Sequence, residues 1–219
     1  GSLILIEGEI NFSLSFLYIM ATQITPTEEL QAVNIMLSVI GEAPVNTLAG
    51  DTTTDVSIAK NLLDETSMSI QAMGWNFNTH YNYVVTIDDT GKIPLPANCV
   101  QADASSSFRS SNYVMRAGFL YDLDNHTDVF TKAPTVDVVL VQQFEHLPEY
   151  ARRYITAKAS RRYAARVIGD GELTSLAAQD EQEAYIAFQQ ADSRSADVNI
   201  LEGDANTYSI INRTPRRTY

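Results

Sequence analysis

Few residues of this chain stand at spacings that could do chemistry. Asp122, Asp124 and Asp128 lie close together at even spacing, and carboxylate oxygens so placed could gather a hard cation. The stretch lacks the glycine and the distal bidentate Glu of a calcium-binding loop, so a turn of acidic side chains is expected and no metal site. His80, His126 and His146 are scattered, each without a spaced His or Cys partner, and polar surface or turn roles are expected of them. Cys99 is the sole cysteine, which excludes an internal disulfide and a Cys-based metal cluster within one subunit. A small buried thiol is the expectation. The sequence has no phosphate-binding glycine loop, no G-x-S-x-G elbow and no HExxH motif, and implies no cofactor. Carboxylates are abundant enough to supply a glycosidase pair, but nothing in their spacing places one.

The cations are distributed less evenly. Of the 15 Lys and Arg residues, six fall between Arg152 and Arg166. On a helical wheel at about 100° per residue, Arg152, Lys158, Arg162 and Arg166 form a stripe, with Tyr154, Ala157, Ala164 and Ile168 roughly opposite. One reading is a solvated face with intrachain ion pairs; the other is a surface that meets acidic groups of a neighbouring subunit, repeated by symmetry. Three more arginines, Arg213, Arg216 and Arg217, close the chain and could dock on an acidic surface. The formal net charge of −12 argues against binding free nucleic acid, since phosphate attracts a basic surface.

These side chains need helices to carry them. Thr25-Pro26-Thr27-Glu28 reads as a capping box with Pro26 at the first helical position, followed by Leu30, Val33, Leu37 and Ile40 and by Gly41 at the stop. Gly50 to Asp55 is a polar loop and second N-cap. Val56, Ala59, Leu63, Thr66, Ile70 and Met73 then repeat at three and four residues up to Gly74-Trp75-Asn76-Phe77. A third helix opens at Pro148. The fourth, Glu172 to about Ala191, aligns Leu173, Ala177, Ala184, Phe188 and Ala191 and carries Asp180, Glu181 and Glu183, which makes it the expected partner of the basic helix. Ser193 to Asp197 reads as a linker.

Past Phe77 the period moves towards two. Tyr81, Tyr83, Val85 and Ile87 predict a strand closed by a turn at Asp88 to Gly91, and the prolines of Ile93-Pro94-Leu95-Pro96 demand an edge or loop. Tyr113 to Tyr121 and Val129-Phe130 predict a hairpin across Asp122 to His126, and Val136 to Val141 a further strand, in a small, mainly antiparallel sheet. No segment approaches the about 20 apolar residues that span a bilayer. Phe12 to Met20 is too short, and Glu7 and Glu9 precede it where a signal peptide would carry Lys or Arg.

Ala32-Val33-Asn34, Ser38 to Val45, Leu48 to Asp51 and Gly74 to Asn78, continued by Leu147-Pro148-Glu149, Thr156 to Arg161 and Leu201 to Ala205, resemble tail tubular protein A of T7-like short-tailed bacteriophages. The resemblance spans nearly all of Met20 to Ala205. It implies a homo-oligomeric ring, twelve subunits in that family, acting as tail adaptor or gatekeeper between the portal and the nozzle protein, tail tubular protein B. Tail fibres are a further neighbour, and DNA passes through the lumen without sequence-specific binding. The implied location is the virion tail, with the host cytoplasm during assembly. A tail-associated glycosidase degrading host surface polysaccharide is the alternative, because such activity has been proposed within the family.

The expected architecture is α+β: a four-helix bundle with a small β insert and extended N- and C-terminal arms. Its helices fall near 26–40, 54–74, 148–168 and 172–191. The expected divisions are an N-terminal extension at 1–19, a helical hairpin at 20–78, the insert at 79–145, a second hairpin at 146–192 and a C-terminal arm at 193–219. Gly1-Ser2 reads as a cloning remnant and Leu3 to Ile19 as translated leader ahead of a natural start, whose Leu14, Phe16, Leu17 and Ile19 a neighbouring subunit would cover if ordered. The expected core holds Leu30, Val33, Leu37, Ile40, Leu63, Ile70, Trp75 and Phe77. Subunit or portal contacts are expected at Arg152, Lys158, Arg162, Arg166, Arg213, Arg216 and Arg217, and no catalytic residue is assigned.

Overall fold

The computed structural model describes residues 27–50, 53–105 and 111–203, with side chains as far as Ser195. Among these residues four α-helices, α1 Glu29–Val39, α2 Thr54–Gln71, α3 Glu149–Val167 and α4 Gly171–Gly203, frame five strands, in keeping with the α+β class. The strands are β1 Thr79–Val84, β2 Cys99–Ala104, β3 Tyr113–Arg116, β4 Phe119–Asp122 and β5 Thr135–Leu140.

The first helix begins three residues later than its sequence signal suggests. Thr25 and Pro26 lie outside the described residues; the N-cap is Glu28, in extended conformation, and its N–H donates to the Gln31 side chain at 3.4 Å. The reason is Thr27, whose backbone N–H and hydroxyl both donate to the Glu149 carboxylate, at 2.9 and 2.8 Å. That clamp holds Thr27 out of the helix. At the other end Gly41 turns the chain with φ 80°, a left-handed value that suits glycine.

In α2 the expected face is buried as far as Ile70, but Met73 is not part of it. The helix stops at Gln71, Gly74 turns at φ 73°, and Met73 is left 66% exposed. Leu62, Ser67 and Gln71 are buried as well, because α2 packs against both α1 and α3 and needs a wider face than one neighbour requires.

Each of the other three helices packs on α3, whose buried residues Ala151, Tyr154, Ile155, Thr156, Ala159, Ser160, Tyr163 and Ala164 run around most of its circumference. The expected packing face was too narrow: Ala157 is half-buried and Ile168, beyond the helix end, is exposed. The fourth helix does not stop near Ala191. It runs on through Ser193 to Asp197, where a linker was expected, since no Gly or Pro interrupts the chain between Gly171 and Gly203.

Val33, Leu37, Leu63 and Ile70 are fully buried in the helical core beside Ala32, Met36, Leu62 and Tyr163. Ile40, Trp75 and Phe77 are half-buried against it, whereas Leu30, expected in the core, is half-buried on the wall of an open cleft. Phe188 of α4 closes this core: Trp75, Phe77, Tyr150 and Tyr154 surround its ring at centroid distances of 4.4, 6.4, 5.7 and 5.1 Å.

The sheet is antiparallel in the order β1-β5-β2, and β3 and β4 form a separate two-stranded ribbon. Strict alternation would put Tyr81 on one face with Tyr83, Val85 and Ile87, but it is exposed. Between the pairs His80–Val138 and Tyr83–Val136 the register slips, with Asn82 at φ 54° and its N–H on Asp137 at 2.8 Å. A bulge of this kind resets alternation by one residue, so Tyr83, Val85 and Ile87 face the sheet core and Tyr81 faces out. The hairpin also lies elsewhere than expected. Ala117 (φ 50°) and Gly118 (φ 81°) turn it between β3 and β4, while Val129-Phe130 is irregular, with the Phe130 ring packed on Tyr113. Strand β2 had no counterpart among the expected elements, because its short residues Cys99 and Ala102 point inward around a register slip. Cys99 is a buried free thiol, and burial pushes its pKa up.

Replacing Phe188 with Ala should remove about 3–5 kcal/mol of stability. Trp75 is the single tryptophan, so its emission should shift to the red in the same variant. An unchanged unfolding midpoint and spectrum would show that the ring cluster does not close the core.

Candidate functional site

The four cations of the expected stripe all lie on α3, and each already has a partner within the chain. Arg152 donates through Nε to the Leu147 carbonyl at 2.7 Å and through Nη1 to the Thr27 carbonyl at 2.9 Å. Lys158 sits 5.5 Å above the Tyr154 ring centroid and donates to that residue's hydroxyl at 3.3 Å. Arg162 reaches the Thr66 hydroxyl at 2.9 Å and pairs with Glu65; Arg166 meets the same carboxylate at 3.3 Å. Glu65 is held below its ordinary pKa, first by Arg162 and then by Arg166.

The acidic partner therefore comes mainly from α2. Of the expected pairing with α4, the structure shows Arg161 with Glu181. The physical reason is the enclosure of α3: its basic side passes Ile155, Ala159 and Tyr163, which are fully buried against the other helices. Long cationic side chains lie over that apolar surface and put their heads out at its margins, where Glu65 stands. Among these cations Arg166 is the most open, with 55% of its side chain exposed against 24% for Arg162. Arg213, Arg216 and Arg217 lie outside the described residues.

Several polar contacts that the sequence did not announce hold the helices in place. Asn34, in the middle of α1, bonds both backbone groups of Val45, donating to its carbonyl at 2.9 Å and accepting from its N–H at 2.8 Å. Gln71 does the same to Gln142, at 3.0 and 2.7 Å, and so ties the end of α2 to the chain leaving β5. Buried Asp192 accepts from the backbone N–H and side-chain amide of Asn76, at 3.2 and 2.9 Å. A polar residue set in an apolar period was the available signal for Asn34; nothing local marks the partners of Gln71 or Asp192.

The carboxylates that might have done chemistry are engaged structurally. Asp122 accepts from the backbone N–H groups of Asp124 and Asn125, both at 2.9 Å, and from the Asn125 side chain; burial alone would raise its pKa, and these bonds together lower it. Asp128 pairs with Lys92, and Asp124 accepts from Asn112. His80, His126 and His146 are all exposed. An open cleft of about 740 Å³ is lined by Glu28, Glu29, Lys60, Glu145 and Arg152. Its Lys60 is bound to Glu29, which raises the lysine's pKa, while burial raises that of nearby Asp64. Among the described residues no group of three His, Cys, Asp or Glu side chains is arranged to hold a metal ion, and no helix is long and apolar enough to cross a membrane.

These contacts tie the helices to one another and to the strands within one chain. The chain belongs to the tail tubular protein family, whose model matches residues 30–198. Among its relatives, Tail tubular protein A of Klebsiella phage KP34 is 28% identical over 156 residues, covering 70% of this chain and 81% of that one. The protein is thus a bacteriophage tail component.

The Glu149 clamp gives the fold a pH dependence. Burial works to raise the Glu149 pKa, but the bonds from Thr27 and Arg153 outweigh it, and the carboxyl titrates below its ordinary value. The stabilisation is therefore present above the unfolded pKa of about 4.3 and lost as pH falls below it through the folded one. Glu149→Gln should cost about 1–2 kcal/mol near neutrality and flatten the fall of the melting temperature across that window. Parallel pH profiles for the two proteins would contradict this role.

Proposed function

We propose that this chain is the tail adaptor: copies close into a ring, twelve as the resemblance implies, that joins the portal to the tail nozzle and lines the DNA exit channel. The observation that carries the reading is the family match across α1 to α4, supported by a relative that bears the name Tail tubular protein A. An acidic chain of net charge −12 suits a lumen through which DNA slides without being held. Assembly would take place in the host cytoplasm before the protein is carried in the virion tail. The ring acts as gatekeeper at genome ejection, and the β strands offer the side facing nozzle or fibres. The C-terminal arm with Arg213, Arg216 and Arg217 docks on the portal.

Within the ring, the cations of α3 divide their roles. Arg152 and Arg162, half-buried, serve the subunit, whereas Arg166, exposed and held by a single carboxylate, meets the neighbouring copy. The glycosidase alternative draws on no observation among the described residues, and a reducing-sugar assay in which one carboxylate substitution abolished turnover would restore it.

Electron microscopy of the purified protein mixed with portal and nozzle proteins tests the adaptor directly: a ring bridging the two is expected, and failure to bind either would overturn the reading. Arg166→Glu should leave unfolding within about 0.5 kcal/mol of the parent yet weaken ring assembly. Arg162→Glu, by orphaning Thr66 and facing Glu65 with a like charge, should instead destabilise the subunit by about 1–3 kcal/mol. Normal rings from the Arg166 variant would remove that residue from the interface.

A further inference from the structure

Among the described residues, the helices leave two surfaces open that have no residue in common. One is a groove of about 290 Å³ where α1, α3 and α4 meet, lined by Ile35, Val39, Ala157, Ser160 and Ala177. Short side chains from α3 and α4 leave this hollow unfilled, and Ile35 is 47% exposed at it. The buried Ser160 hydroxyl has no hydrogen-bond partner. Arg153 and Asp180 add one charge of each sign to the lining. Arg153 is 75% exposed, and among the described residues no Lys or Arg pairs with Asp180.

The other surface is the outer side of α2. Ile58, Asn61, Glu65 and Met68 follow one another at three- and four-residue steps, so they share one face of the helix, and all four are exposed. A stripe of this period is the seam that a second helical surface covers. Beside it Arg166 reaches from α3 to Glu65 at 3.3 Å. We propose that the outer face of α2 in one copy docks in the groove of the next copy, with Met68 seated at Ala157 and Ala177 and Arg166 facing Asp180. The inference rests on the ring of the adaptor reading and names its subunit contact.

Three arguments select a second copy as the occupant. The charges are complementary: Glu65 and Arg166 on one side meet Arg153 and Asp180 on the other, so neither surface brings an ion that lacks an opposite charge across the contact. The shapes suit each other, because an unbranched methionine fills an irregular hollow left by small side chains. Glu65 and Ser69 flank Met68 on α2 with polar groups, the kind of partner that the Ser160 hydroxyl lacks. Finally, a contact between two different surfaces is heterologous. Each copy uses both of them, and a rotation that closes gives a ring in which neither stays open.

Single cysteines in the full chain test it. Met68→Cys protein is mixed with Ile35→Cys or Val39→Cys protein in the presence of purified portal protein under mild oxidation, the native Cys99 being buried. Disulfides between the two variants should form roughly ten-fold faster than between Met68→Cys and Val129→Cys proteins, since Val129 is exposed on the β part. Arg166→Glu and Asp180→Arg should each lower the yield of rings roughly five-fold, and the two changes combined in one chain should restore it. Met68→Cys protein that links to itself as fast as to the groove variants would overturn the proposal in favour of a symmetric contact. Rings on the portal without either cross-link, or a double variant that is not rescued, would overturn this contact and leave the adaptor reading standing. Cross-links that form while the protein binds neither portal nor nozzle would support the contact and overturn the adaptor reading.

Discussion

Phe188 is the contact on which the arrangement of the helices depends. Its ring is fully buried, and the four aromatic side chains around it come from the corner after α2 and from the first turns of α3. Edge-on and stacked contacts of this kind add about 0.5–1.5 kcal/mol each to the burial of the rings themselves. One side chain of α4 thereby holds in register two stretches that the β strands separate along the chain. Asp192, one turn further on, fastens the same corner through Asn76.

With that joint made, α3 becomes the central helix, and its enclosure decides what its charges can do. A cation on the rim of a buried helix is drawn to the nearest carboxylate that its own fold supplies. Glu65 meets Arg162 and Arg166, Glu149 meets Arg153, and Glu181 meets Arg161, while Arg152 turns to the Leu147 carbonyl and Lys158 to Tyr154. Ion pairs this exposed contribute little stability each, about 0–1 kcal/mol. Their consequence is steric and electrostatic: Glu65 offsets part of the charge of the stripe, and Arg166 is left as its most open member.

The sheet answers to a different constraint. Its own core, with Ile93, Leu120, Val136 and Val138 fully buried, is distinct from that of the helices. The Gln71 side chain links the two through reciprocal hydrogen bonds with the Gln142 backbone. Such a joint sets orientation more than stability, because each bond is worth about 1 kcal/mol net.

The sequence by itself determined the existence and order of the helices and the composition of their inner faces, because three- and four-residue repeats and the stops at Gly41 and Gly74 are local signals. It also carried the family, legible in residues of the first hairpin such as Asn34 and the Gly41 turn. Only the tertiary structure decided the rest. The bulge at Asn82 turned Tyr81 outward, the positive φ of Ala117 and Gly118 moved the hairpin, and the absence of a breaker let α4 run past its expected end. The basic stripe was visible, but its partners were not. A helical wheel gives the direction of a side chain from its own axis, and whether a carboxylate such as Glu65 stands there depends on packing between residues about a hundred positions apart.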